Sequence, residues 1–323
     1  MQIRRRRFLI GVAATIPARS AFSAQWPIRP ITVVVPFAPG GPTDFIARLL
    51  SIPYSKSLGQ SIVVSNRPGA SGNIGAQTVA DGEADGYTLL HTTIASQALN
   101  PILYPESRLR AQRDFAPVGT TASLPNVLVV PKTMDVKSVA DLVALAKTKP
   151  GGLNYATFGP GTSPDILSTL FQKLAGFTAR PVPYKGSALA LTDVIAGRVD
   201  FLFDNITTCA PQIKGGTVKG LAISSTTRSA ALPEIPTMKE AGYSGFDLNF
   251  GFSLMAPIAT PQPILERLQA AFEQAAADPE YTKGLIARGA EPLVVRRADL
   301  VQYLGDAGQR WTAIAKEIGV KAS

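Results

Sequence analysis

The segment Ile31-Thr-Val-Val-Val35 runs into Phe37-Ala38-Pro39-Gly40-Gly41-Pro42-Thr43-Asp44, then into a helical pattern with Phe45, Ile46, Leu49 and Leu50 on one face. A β-branched run, a turn of glycine and proline and an amphipathic helix, in that order, leave few architectures open. The same order returns with a strand over Ser61 to Ser65 and a helix near Asn73 to Ala80. It returns again with a strand over Tyr87 to His91 and a helix over Ile94 to Leu99. Pro53 falls inside the first helix, where it has no N–H to give Leu49 and is expected to kink or end it. Alternation of this kind predicts an α/β protein with largely parallel sheets and helices packed on their faces.

A β-rich stretch, Ala116 to Thr121 and Asn126 to Val130, precedes a second series of such units. Helices are expected over Val139 to Lys147, Pro164 to Leu174 and Ala188 to Ala196, and strands over Leu153 to Ala156, Arg180 to Pro183, Val199 to Phe203 and Lys219 to Ser224. A proline-rich loop follows at Leu232 to Pro236. The last third, from Phe250 to Pro257 through helices over 262–276 and 299–317, has no glycine-rich turn of its own and reads as a segment returning to the first unit. The expected architecture is two α/β lobes, each a mainly parallel sheet flanked by helices, joined by a two-crossing hinge. Residues 25–123 and 229–323 form one lobe and 124–228 the other, the layout of hinge-bending ligand-binding proteins.

Summed over the whole chain, charge suggests a polyanionic partner, since 32 Lys and Arg stand against 23 Asp and Glu, net +9. Met1 to Ala24, however, reads as Arg4-Arg5-Arg6-Arg7, an apolar run from Phe8 to Ile16 and a small-residue stretch, Ser20 to Ala24, the pattern of a cleaved export signal. Arg5-Arg6-Arg7-Phe8-Leu9 fits the twin-arginine form, and the general secretory route fits as well. The apolar run is too short to span a bilayer, for which about 20 residues are needed, so no stable membrane insertion is expected. Without these residues, which include Arg19, the excess falls from +9 to +4, with the remaining cations scattered. Nucleic-acid binding is not expected. One cysteine, Cys209, and one histidine, His91, cannot form a disulfide or a His/Cys metal cluster.

Ligands of open α/β sheets bind where strands lead into helix starts. Two loops qualify. Ala38 to Thr43 offers small residues, with Thr43 or Asp44 able to cap the helix; Phe158-Gly159-Pro160-Gly161-Thr162-Ser163-Pro164 leads into the second, with Ser163 at the cap. Both present free N–H groups and a positive dipole end to a carboxylate, although turns like these also occur simply as connections. Neither is a Walker A loop or a dinucleotide fingerprint. Asp204, after the Val199 to Phe203 strand, suits either a ligand hydroxyl or amine, or a turn cap. Lys185 is positioned to reach the cleft or to lie in solvent. His91 and Ser71 have no partners that would make a hydrolytic constellation, so no enzyme activity and no cofactor are expected.

Several segments together carry a resemblance. Pro36-Phe-Ala-Pro-Gly-Gly-Pro-Thr-Asp44, Asn66-Arg-Pro-Gly-Ala-Ser-Gly-Asn-Ile-Gly75, Asp85-Gly-Tyr-Thr-Leu89, Val182-Pro-Tyr-Lys-Gly186, Leu232-Pro-Glu-Ile-Pro-Thr237 and Glu240-Ala-Gly-Tyr243 extend over the mature chain in order. The chain resembles the solute-binding receptors of tripartite tricarboxylate transporters, the Bug receptors. The resemblance implies a type II periplasmic-binding-protein fold, location in the periplasm, a small organic acid as ligand and the membrane permease subunits of a tripartite transporter as partners. Carried onto this chain, it puts the ligand between Phe37, Ala38, Pro39, Gly40, Gly41, Thr43 and Asp44 on one side and Phe158, Gly159, Gly161, Thr162 and Ser163 on the other, with Asp204 flanking. Two residues depart from the family pattern. Asp165 stands where the family commonly has histidine, and Gly251 where it often has tryptophan; an Asp165 carboxylate aimed into the cleft is expected to favour a ligand with fewer negative charges or with an amine. An orphan sensor and an exported enzyme on the same scaffold are the competing readings.

Overall fold

The structure is a computed structural model that describes residues 26–320; the expected export signal lies outside the described residues. Strands β1 (Ile31–Val35), β2 (Ile62–Asn66) and β3 (Thr88–Thr93) pair in parallel with β1 in the centre. Val33, Val34 and Val35 are all buried, because helices cover both faces of the sheet. Helices α1 (Pro42–Leu58), α2 (Asn73–Ala80) and α3 (Ile94–Leu103) follow the three strands in turn. α1 runs through Pro53 to Leu58 and is closed by Gly59, so of the two expected outcomes Pro53 does not end the helix. The adjacent Tyr54 donates its hydroxyl to the Leu268 carbonyl at 3.1 Å and packs edge-on against Phe272, which offsets the roughly 3 kcal/mol that an interior proline costs.

A short α4 (Ala111–Asp114) leads into β4 (Phe115–Leu124), and across Pro125 the chain enters the second lobe as β5 (Asn126–Pro131). There follow α5 (Val139–Thr148), β6 (Leu153–Thr157), α6 (Ser163–Ala175), β7 (Ala179–Pro183), α7 (Ser187–Ile195), β8 (Leu202–Asn205), α8 (Ile206–Lys214) and β9 (Val218–Ile223). The chain returns as β10 (Phe250–Pro257), α9 (Gln262–Ala276), α10 (Pro279–Ile286), β11 (Glu291–Pro292) and α11 (Leu300–Ile318).

The sheets are mixed rather than mainly parallel. In the first lobe the order is β11-β4-β10-β3-β1-β2, and every pairing from β3 through β10 and β4 to β11 is antiparallel. Parallel neighbours need a crossover, usually a helix, between them. β4 instead leaves for the second lobe and β10 comes back beside it, so they run in opposite directions. In the second lobe β5 pairs antiparallel with both β8 and β9, whereas β6 and β7 pair in parallel.

The two crossings lie side by side. The Ser224 hydroxyl accepts from the Asn126 N–H at 2.9 Å and donates to the Leu248 carbonyl at 2.8 Å, tying the outgoing strand to the returning one. The return to the first lobe comes later than the expected residue 229. Phe246 stacks on Phe203, Tyr243 packs edge-on against Phe171, and Phe250 is the first residue to pair with β4. An aromatic core of Phe171, Phe177, Phe201 and Phe203 thus draws residues 238–248 onto the second lobe. α11 touches both lobes, with Trp311 stacked on Phe250 and the Glu317 carbonyl accepting from Lys173.

Candidate functional site

The two glycine-rich loops are built alike. In the first, Gly40 has φ 81, Gly41 caps α1, and Asp44 in the first turn takes the Gly40 N–H on Oδ2 at 3.0 Å. In the second, Gly161 has φ 77, Thr162 caps α6, and Asp165 takes the Gly161 N–H on Oδ2 at 3.0 Å. Each carboxylate sits at a helix start, where the dipole favours it, and locks the turn before it. Burial alone would raise the Asp44 carboxyl, but hydrogen bonds from Arg48, the Gly40 N–H and Asn66 outweigh it and hold it below the usual carboxylate range. Asp165 has no such cation. Burial pushes it up to about 6, with the Gly161 N–H only partly opposing.

Asp165 therefore lies beneath its own loop, and the expectation that it faces the cleft does not describe its position. The carboxylate accepts the Gly161 N–H of its own loop at 3.0 Å. The Gly40 and Gly161 N–H groups are spent the same way, which leaves the orphan N–H donors of the first helical turns as the groups facing the cleft.

Between the loops lies a cavity of about 30 Å³. Its lining contains the N-cap residues of five helices: Gly41 of α1, Thr93 of α3, Thr162 of α6, Gly186 of α7 and Asn205 of α8. Hydroxyls of Thr43, Ser96, Ser163 and Ser187 and the rings of Phe37, Phe158, Phe250 and Phe252 complete it, with no ionisable side chain. Five positive helix ends around an uncharged, partly aromatic space offer an anion partial positive charge without a formal cation.

The lobes are drawn together around this space. The Ala38 N–H donates across the cleft to the Lys185 carbonyl at 3.1 Å, so the backbone of Lys185, rather than its exposed ammonium, serves the interface. A Cβ on Gly186 would lie 3.2 Å from that of Ala38, and a Cβ on Gly159 only 2.3 Å from Ser71 Oγ. These contacts hold the lobes closed around a cavity of about 30 Å³, and a ligand enters as the lobes part.

Of the expected residues, Phe37, Gly41, Thr43, Phe158, Thr162 and Ser163 line the cavity. Ala38 and Gly159 sit at the lobe contact, Pro39 and Gly40 are exposed, and Asp44, Gly161 and Asp165 brace the loops. Asp204 is fully buried inside β8 and reaches the cavity through Ser187, whose hydroxyl donates to its Oδ1 at 2.6 Å. Burial pushes Asp204 up to about 7, and the Ser187 bond opposes this. Sequence reasoning missed Thr93, Ser96, Ser187, Asn205, Phe250 and Phe252. The direct strand-to-helix junctions at Thr93 and Asn205 were the available signal. Gly251 points away from the cavity, where a Cβ would meet Ile94 and Leu293.

His91 supports the site from behind. Its Nδ1 contacts the Thr43 carbonyl at 3.1 Å, its Nε2 contacts the Thr121 hydroxyl at 3.0 Å, and its ring stacks on Phe252. Burial lowers it to about 4, so the ring is neutral at pH 7. Among the described residues no group of three or more His, Cys, Asp or Glu is placed to hold a metal, and no helix is long and apolar enough to cross a membrane.

A sequence profile described as tripartite tricarboxylate transporter family receptor matches residues 46–320. The solved periplasmic binding protein BugD is 31% identical, with 92% of this chain and 100% of that one covered and a TM-score of 0.88. A protein from R. palustris, solved with adipate, is 36% identical over 93% of this chain and 100% of that one, TM-score 0.88. MatC from Rhodopseudomonas palustris, with bound malate, is 32% identical over 90% and 99%, TM-score 0.83. These likenesses bear out the two-lobe periplasmic-binding-protein fold.

Proposed function

The chain belongs to the tripartite tricarboxylate transporter receptor family, and from that premise we propose that it captures a small organic acid between its lobes and delivers it to the membrane subunits of a transporter. The observation that carries this reading is the convergence of five helix N-caps on one uncharged interlobe cavity. That arrangement holds a carboxylate by backbone N–H groups and hydroxyls, and it does so without a lysine or arginine whose charge would slow release. Malate in MatC and adipate in the second R. palustris protein are ligands of the same chemistry. The Arg4 to Arg7 run and the apolar segment after it fit export to the periplasm, where such a receptor meets its permease.

A thermal-shift screen of the mature protein against mono-, di- and tricarboxylates, aromatic acids, amino acids and nucleotides tests the reading. An acid at 100 times its dissociation constant stabilises by about 2.7 kcal/mol, a visible rise in melting temperature. A panel in which no acid shifts the transition while a nucleotide does contradicts it.

A further inference from the structure

The cavity hydroxyls are committed in their hydrogen-bond sense. The Thr93 Oγ1 accepts the Ser96 N–H at 3.2 Å, and the Ser163 Oγ accepts the Asn126 side-chain N–H at 3.2 Å, which leaves the protons of both free to donate. Two others have given their protons away. Ser187 donates to Asp204 Oδ1 at 2.6 Å, and Thr162 donates to the Gly159 carbonyl at 2.6 Å. Both therefore present only lone pairs to the cavity.

The Ser187 commitment is enforced from below. Asp204 is fully buried, and its Oδ2 has no partner among the described residues, so Ser187 is the only side chain that satisfies the carboxyl group. Turning the Ser187 proton toward a ligand would strip a buried carboxyl of its side-chain hydrogen bond, which is unfavourable because a buried acceptor left unpaired bears its full desolvation penalty. Oδ1 accepts whether or not Oδ2 carries a proton, so the arrangement holds in both charge states.

A ligand carrying only carboxylates satisfies the helix ends, Thr93 and Ser163, but leaves Ser187 and Thr162 facing it lone pair to lone pair. Resting on the receptor reading above, we infer that the cleft selects a hydroxycarboxylate, whose carboxylate takes the donor side and whose hydroxyl donates to Ser187. A protonated amine would also donate, but it would bring a positive charge among five positive helix ends.

The test is calorimetric titration of the mature protein with matched acids that differ by one hydroxyl: lactate and propionate, malate and succinate, mandelate and phenylacetate. One added neutral hydrogen bond predicts that the hydroxy acid of the fitting pair binds about tenfold tighter. In Ser187→Ala that ratio should fall by about threefold or more, whereas Asp204→Asn, whose amide oxygen still accepts the Ser187 proton, should keep it. If Asp204→Asn does not fold, Ser187→Ala decides alone. Pairs that all bind within about threefold of each other, or a Ser187→Ala protein that keeps the wild-type ratio, overturn the selectivity and leave the receptor reading standing. Binding of neither member of any pair overturns both.

Discussion

The substitution Gly159→Ala separates lobe closure from folding. Gly159 has φ 108, and a Cβ there would lie 2.3 Å from Ser71 Oγ on the opposite lobe. That hydroxyl is fixed by a 2.7 Å hydrogen bond to Tyr104, so it can yield only by giving up the bond. The backbone strain, about 1–2 kcal/mol, burdens open and closed forms alike and appears as lost stability. The lost Ser71–Tyr104 bond, about 1 kcal/mol, burdens only the closed form and so weakens the apparent affinity by about fivefold to tenfold. Gly176→Ala is the control, because Gly176 has φ 66 but nothing within 4 Å of a Cβ: it should lower stability and leave affinity alone. In the double variant Gly159→Ala with Ser71→Ala the obstructing oxygen is gone, the nearest remaining contact is 3.6 Å, and affinity should recover. Titration of the tightest acid from the screen against the four proteins, with melting temperatures, reads this out. Equal affinity in wild type and Gly159→Ala, or no recovery in the double variant, refutes the closed-form contact.

Three further outcomes follow from buried polar groups. His91 has a folded-state value near 4 against an ordinary value of 6.5, so the unfolded chain binds more protons in that window; stability should fall as pH drops from 6.5 to 4, and urea melts of wild type and His91→Gln should show that slope vanish in the variant. Asp204 runs the other way: its value rises from 3.8 to about 7, so its contribution is present at low pH and lost as pH climbs through 7, and Asp204→Asn should flatten that loss in the same melts. Ser224→Ala leaves the Asn126 N–H and the Leu248 carbonyl at the hinge without their hydroxyl partner, at about 1–3 kcal/mol, measurable as a lower urea midpoint.

Local order was legible in the chain, and distant pairing was not. Ile31–Val35, the glycine-rich turn and the helix after it announce themselves because each is decided within a few residues. The direction of β10 depends on β4, more than a hundred residues away, and no local pattern records that the two cross the hinge in opposite senses. That α1 continues past Pro53 depends likewise on distant residues, Leu268 and Phe272, which the neighbouring Tyr54 meets. The matching spacing of Gly40 with Asp44 and Gly161 with Asp165 was open to view and shows why Asp165 turns inward. Nothing local marks Phe250 and Phe252 as site residues, because only the approach of the second lobe makes them a cavity wall.

Placing a carboxylate where the ligand's own should sit tests the account most directly. Ser163 is the first residue of α6 and lines the cavity, and an acidic residue in a first helical turn stabilises the helix. Calorimetric titration of Ser163→Asp with the acids that bind wild type should find binding lost while the melting temperature is kept or raised. Undiminished binding of those acids by Ser163→Asp would mean that the anion is held elsewhere and that the five helix ends are not its site.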